Sequence, residues 1–155
     1  MKALVVVAVT LALAVAAPAR ARATIVVQKG IAGVELRMTK TQVRARLGTP
    51  KLVRTGSNDF GHYTKFVYPR VTVTFQSGPR VTSTETTSPR ERTATGVGVG
   101  STEARLKAAV RGVRCMTTLS SRQCVVGTLK PGRIVTAFFI DRSRISSVIV
   151  GFVLD

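Results

Sequence analysis

The sequence has no tryptophan, two tyrosines, one histidine, two cysteines and seven acidic side chains in 155 residues. Each shortage narrows what the protein can do. A surface that stacks the bases of single-stranded nucleic acid needs aromatics interleaved with basic residues, and these are too few. A metal centre needs several His, Cys or carboxylate ligands at short spacing. His62, the only histidine, has no such companions, so no metal and no cofactor are expected. The acids Glu35, Asp59, Glu85, Glu91, Glu103, Asp141 and Asp155 form no close pair for acid–base catalysis. No Gly-x-Ser-x-Gly elbow occurs, and Asp59 beside His62 is at most half of a triad. No catalytic residue is assigned, and a non-enzymatic protein is expected, with a small secreted hydrolase as the remote alternative. Beyond the N-terminus, no apolar run is long and uncharged enough to span a bilayer.

The N-terminus itself has the form of an export signal. Lys2 precedes an uncharged apolar run over 3–17, Pro18 breaks it, and Ala19-Arg20-Ala21 or Ala21-Arg22-Ala23 supplies a small-x-small cleavage pattern. The run is short of the roughly 20 residues of a membrane helix. A signal peptide over 1–21 is therefore expected, followed by a secreted or envelope-located chain. No cysteine near the cleavage point offers a lipid anchor. Cys115 and Cys124 are the full complement of cysteines, and in an exported protein an even count implies a disulfide.

What the chain has in abundance is positive charge, +17 in formal terms. Such a field favours acidic partners or polyanions: nucleic acid, teichoic acid, lipopolysaccharide, anionic lipid headgroups. Arginine-rich coding in a GC-rich genome gives the same composition, so charge alone does not settle the matter.

Apolar positions recur at one offset. Gly33, Val34, Leu36, Thr39, Val43, Ala45 and Leu47 return as Gly96, Val97, Val99, Thr102, Leu106, Ala108 and Val110, and Val71, Val73 and Phe75 return as Ile134, Thr136 and Phe138. Such self-similarity predicts two units, 22–88 and 89–155. In the first, Thr39 and Gln42 form a capping box, Val43 and Leu47 share a helix face, and Gly48 and Pro50 end the helix. In the second, Ser101 is the expected N-cap, Leu106 and Val110 the stripe, and Gly112 the stop. The glycines at 96, 98 and 100 read as a tight turn into this helix; the run lacks the lysine of a phosphate-binding loop. Strands are expected at 66–68, 71–75, 81–87, 124–126, 134–140 and 145–153, with hairpin turns at Pro69-Arg70 and 141–144. Residues 88–93 read as a polar linker. Residues 55–63 read as a surface loop, and Phe60, His62 and Tyr63 within it are the candidate binding residues.

The run Met38-Thr39-Lys40-Thr41-Gln42-Val43-Arg44-Ala45-Arg46-Leu47-Gly48-Thr49-Pro50, followed by Phe66-Val67-Tyr68 and Val71-Thr72-Val73-Thr74-Phe75, resembles the SmpA/OmlA fold family of outer-membrane assembly lipoproteins. The doubling, export signal and short disulfide are similar to the secreted β-lactamase inhibitory proteins, built from two such units. The resemblance implies an α+β fold of two tandem repeats, each a short helix packed on an antiparallel meander of about three strands. It also implies a binding role, and it transfers no contact residue. The expected function is protein–protein contact outside the cytoplasm, with polyanion or cell-surface binding as the alternative.

Overall fold

The computed structural model describes residues 24–118 and 121–154. The expected signal peptide, 1–21, lies outside them.

Three two-residue strands come first: β1 (Ile25–Val26), β2 (Gly30–Ile31) and β3 (Val34–Glu35). Helix α1 (Lys40–Leu47) follows, then β4 (Leu52–Asn58), β5 (Gly61–Val67), β6 (Thr72–Gln76) and β7 (Ser83–Thr86). Helix α2 (Glu103–Ala109) precedes β8 (Arg114–Thr117), β9 (Arg122–Val126), β10 (Ile134–Asp141) and β11 (Arg144–Phe152). The first three strands form a small sheet. The other eight form a single sheet in the order β4-β5-β6-β7-β11-β10-β9-β8, with every neighbouring pair antiparallel.

This corrects the expected fold class. The molecule is mainly β, with one continuous eight-stranded sheet and a second three-stranded one, and not two helix-on-meander repeats of α+β type. Two physical reasons stand out. The helices have eight and seven residues, and each buries a single side chain completely, Val43 or Leu106. Such helices fasten onto a sheet but are too narrow to make a layer. In addition, β11 carries buried or half-buried side chains on both faces, and a strand of that kind belongs in a sheet's interior. It lies there, paired to β7 on one side and β10 on the other.

Strand alternation divides the sheet into two faces. Phe66, Val73, Phe75, Thr84, Val148, Val150, Thr136, Phe138 and Cys124 share one face by register, and all are buried. The two helices and the small sheet cover this face, adding Val43, Leu106, Ile25, Ile31 and Val34 to the core. Gln28 fixes the small sheet to β10, its backbone N–H donating to Thr136 Oγ1 at 2.7 Å. The segment 88–93 is no free linker. Glu91 and Thr93 are buried, and the Arg92 carbonyl accepts from the N–H groups of Thr24 and Ile25, both at 2.9 Å. Gly98 packs against this segment so closely that a Cβ there would lie 2.2 Å from the Glu91 carbonyl oxygen.

The expected disulfide is present. Cys115 and Cys124 face each other directly across β8 and β9. The Glu103 carboxylate lies near both sulfurs, but the sulfurs are bonded to each other, and the carboxylate receives Arg122 Nη2 at 2.6 Å and Lys107 Nζ at 2.6 Å. The hydrogen bonds from Arg122, then from Lys107, lower the Glu103 pKa from an ordinary 4.5 to about 2. A folded-state pKa below the unfolded value stabilises the fold above the unfolded pKa, and the gain is lost as pH falls through the folded one. Wild type is therefore expected to exceed Glu103→Gln in stability at pH 6, and the gap to close between pH 4.5 and pH 2. Denaturant titrations at a series of pH values check this; a gap independent of pH would show that the ion pair does not form in solution.

Candidate functional site

The stretch expected to be a loop, 55–63, is a β-hairpin. β4 and β5 pair in register from Leu52↔Val67 to Asn58↔Gly61, and Asp59 and Phe60 form the tip. Asn58 starts the turn, its side-chain oxygen accepting from the Phe60 N–H at 3.0 Å. Gly61 closes it with a φ of 97°, a conformation that costs glycine little. No apolar alternation marks β4, because it is the edge strand and nearly all of it is exposed. Its existence was not written in hydrophobic period, and the turn residues Asn58, Asp59 and Gly61 were the signal that could have found it.

The tip is held to the body of the sheet. Gln76, at the end of β6, is buried and donates from Nε2 to Asn58 Oδ1 at 3.0 Å, to the Gly61 carbonyl at 3.0 Å and to the His62 carbonyl at 3.3 Å. Asn58 Nδ2 returns a bond to Gln76 Oε1 at 3.3 Å. Ser77 Oγ donates to the Phe60 carbonyl at 2.6 Å. The hairpin is thus a pre-formed projection.

Of the three candidate residues, the structure brings all to this hairpin but not to one face. Phe60 stands at the tip, 43% exposed. Alternation along β5 turns His62 and Thr64 toward α1, and Tyr63 and Lys65 the other way. His62 Nδ1 is hydrogen-bonded to Ser57 Oγ at 2.7 Å across the two strands. The histidine therefore pairs with Ser57, and not with Asp59 as the triad alternative would have it. Neither side chain is shielded from solvent, and no carboxylate is hydrogen-bonded to His62 among the described residues. Tyr63 lies against Gly56, and Lys65 Nζ sits 5.4 Å from its ring centre.

Between the hairpin and α1 runs an open groove of about 720 Å³, lined by Lys40, Thr55, Ser57, His62, Thr64 and Phe75 among others. Its upper wall is cationic. Lys40 Nζ donates to Thr64 Oγ1 at 3.1 Å and stands 5.5 Å from the Phe75 ring centre. The Arg44 guanidinium lies 4.9 Å from the ring centre of Phe66. Phe75 thus holds Lys40 in the groove wall, and Phe66 holds Arg44 farther along the same side of β5, outside the groove lining. Ser57, the hydrogen-bond partner of His62, and Lys40, which lines the same groove, were not foreseen, since only the fold brings α1 over β5. Over 40–67, Lys40, Arg44, Arg46, Lys51, Arg54 and Lys65 are opposed by one acid, Asp59.

No protein-family model matches the sequence, and no curated protein matches it. Solved structures do. A protein of the DUF4309 family, YjgB from Bacillus subtilis, is 16% identical over 79% of this chain and 84% of its own, with a TM-score of 0.54. An extracellular protein containing an SCP domain from Bacillus anthracis is 12% identical over 76% of this chain, with a TM-score of 0.52, and the match spans 44% of that larger protein. At such identities the likeness is one of fold: the β-rich architecture described above recurs in both.

Proposed function

We propose that this protein is a non-enzymatic binding protein that works outside the cytoplasm and contacts a protein partner through the β4–β5 hairpin and its groove. The observation that carries the proposal is a rigid hairpin that exposes apolar side chains. Of the six large hydrophobic residues exposed among those described, Leu52, Val53 and Phe60 are on it. Pinning by Gln76 and Ser77 removes ordering cost from binding, and the cationic wall selects acidic partners and speeds encounter. The extracytoplasmic setting is supported by the disulfide, by the signal-like N-terminus and by the extracellular character of the Bacillus anthracis neighbour.

The partner is to be isolated with the mature protein from the source organism's envelope and culture fluid, at low and at physiological salt. Phe60→Ala is then expected to weaken binding at least tenfold, as for a central apolar anchor, without a change in melting temperature, because the side chain is exposed. Equal affinity of wild type and variant would remove the tip from the interface. The basic cluster over 40–67 favours a second reading, polyanion or cell-surface binding. That reading requires affinity that falls steeply with salt and ignores Phe60.

A further inference from the structure

We infer that β4 is a strand-acceptor edge, on which an extended acidic segment of a protein partner docks as a ninth strand of the large sheet. The inference rests on the hairpin being the binding surface and names what it binds.

The argument starts from hydrogen-bond phase. The Ser77 N–H donates to the His62 carbonyl at 2.7 Å. In an antiparallel ladder this makes the even-numbered residues of β5 the ones bonded to β6. Tyr63, Lys65 and Val67 therefore bond to β4, at Gly56, Arg54 and Leu52 by register. The N–H and C=O groups of Val53, Thr55 and Ser57 are left turned outward, along an edge with no neighbouring strand among the described residues. They form a run of three donor–acceptor pairs on a seven-residue strand. The opposite edge, β8, has four residues.

An unpaired edge is usually blunted against self-pairing, and β4 carries the usual devices for that: Pro50 and Lys51 just before it and Arg54 within it. Two copies meeting edge to edge bring these cations together. An acidic strand meets the same groups as partners. The side chains of Thr55 and Ser57 share the α1 side of the sheet with His62 and Thr64. Alternate residues of an added strand thus project toward the α1 side of the sheet, where Lys40 lies over Phe75 and Arg44 over Phe66, and the intervening ones toward the side of Arg54 and Lys65. Backbone pairing supplies affinity and the cations supply selection, the division of labour of strand addition.

The test uses the mature protein and a fluorescent eight-residue peptide that alternates glutamate with threonine. Its anisotropy is compared with that of a peptide of the same sequence N-methylated at every second residue along its pairing edge, which keeps the charge and removes the donors. Expected results are saturable binding of the first peptide and at least tenfold weaker binding of the second. Thr55→Pro is expected to cause a similar loss, because it removes an outward N–H and leaves the β4–β5 bonds intact. The methylated peptide provides the comparison should that variant fold poorly. Equal binding of both peptides would overturn strand addition in favour of charge alone. Absence of peptide binding, with Phe60-dependent binding of the isolated partner, would overturn the inference while leaving the proposed function standing. Self-association of the protein that Thr55→Pro abolishes would also overturn it, by assigning the edge to a second copy.

Discussion

Replacing Arg70 by alanine is expected to lower stability by about 3 kcal/mol, although Arg70 is half exposed and far from the core in sequence character. The reason is Glu91. Its side chain is wholly buried, and neither carboxylate oxygen has a hydrogen-bond partner among the described residues. Among the described residues its one ion-pair partner is Arg70, whose Nε lies 3.3 Å from Oε1. Removing Arg70 leaves the buried Glu91 carboxylate without its charged partner, so the desolvation cost of that group stands with no attraction to offset it. The lower end of the usual 3–5 kcal/mol range applies because one partner is half solvated. At this chain length the loss corresponds to about 10 °C in melting temperature. Glu91→Gln removes the charge and keeps the shape, so Arg70→Ala/Glu91→Gln is expected to recover most of the loss. Chemical denaturation of the four proteins closes the cycle. An Arg70→Ala protein within about 1 kcal/mol of wild type would mean that another group compensates Glu91.

The second large effect concerns the far edge of the sheet. Cys115→Ala/Cys124→Ala is expected to cost about 2.5 kcal/mol, from the loop-closure entropy of a short ring. The bond staples β8, a four-residue edge strand, to β9, and Cys124 is fully buried, so lost packing adds to the cost. The hairpin is at the other edge, seven strand spacings or roughly 30 Å away. Partner binding should therefore survive at temperatures where the variant remains folded. Thermal melts with and without reductant, alongside binding at 10 °C, separate the two. Loss of binding in a folded variant would place the interface near β8 and not at β4.

Local signals specify the structure where the chain has little choice. The Thr39–Gln42 capping box forms as expected, and the strands expected at 134–140 and 145–153 form at 134–141 and 144–152, joined by Arg142 and Ser143 at positive φ. Helix α2 is capped by Thr102, one residue beyond the expected Ser101, and ends before Gly112. The Ser101 hydroxyl instead accepts from Gly98 and Arg92, a contact that no local pattern reveals. The fold class is not legible in the sequence, because the pairing of β7 with β11 joins residues far apart in the chain and periodicity carries no information about which edges meet. The strands at 25–35 are two residues each and exist only by packing on the large sheet. As for the site, Phe60, His62 and Tyr63 were legible as an unusual cluster. Their distribution over two faces, and the company of Lys40 and Ser57, require the hairpin and the crossing of α1.

The central position of β11 also sets a schedule. β7 is synthesised by residue 86, yet the strand that completes its pairing starts at 144, roughly 60 residues later. At about 5–20 residues per second, the β7 edge stays bare for about 3–12 s. A nascent chain in that interval carries Val71, Val73 and Phe75 on an unfinished sheet. It is poorly placed to fold before it is complete, so the large sheet closes only once β11 is available, late in the chain.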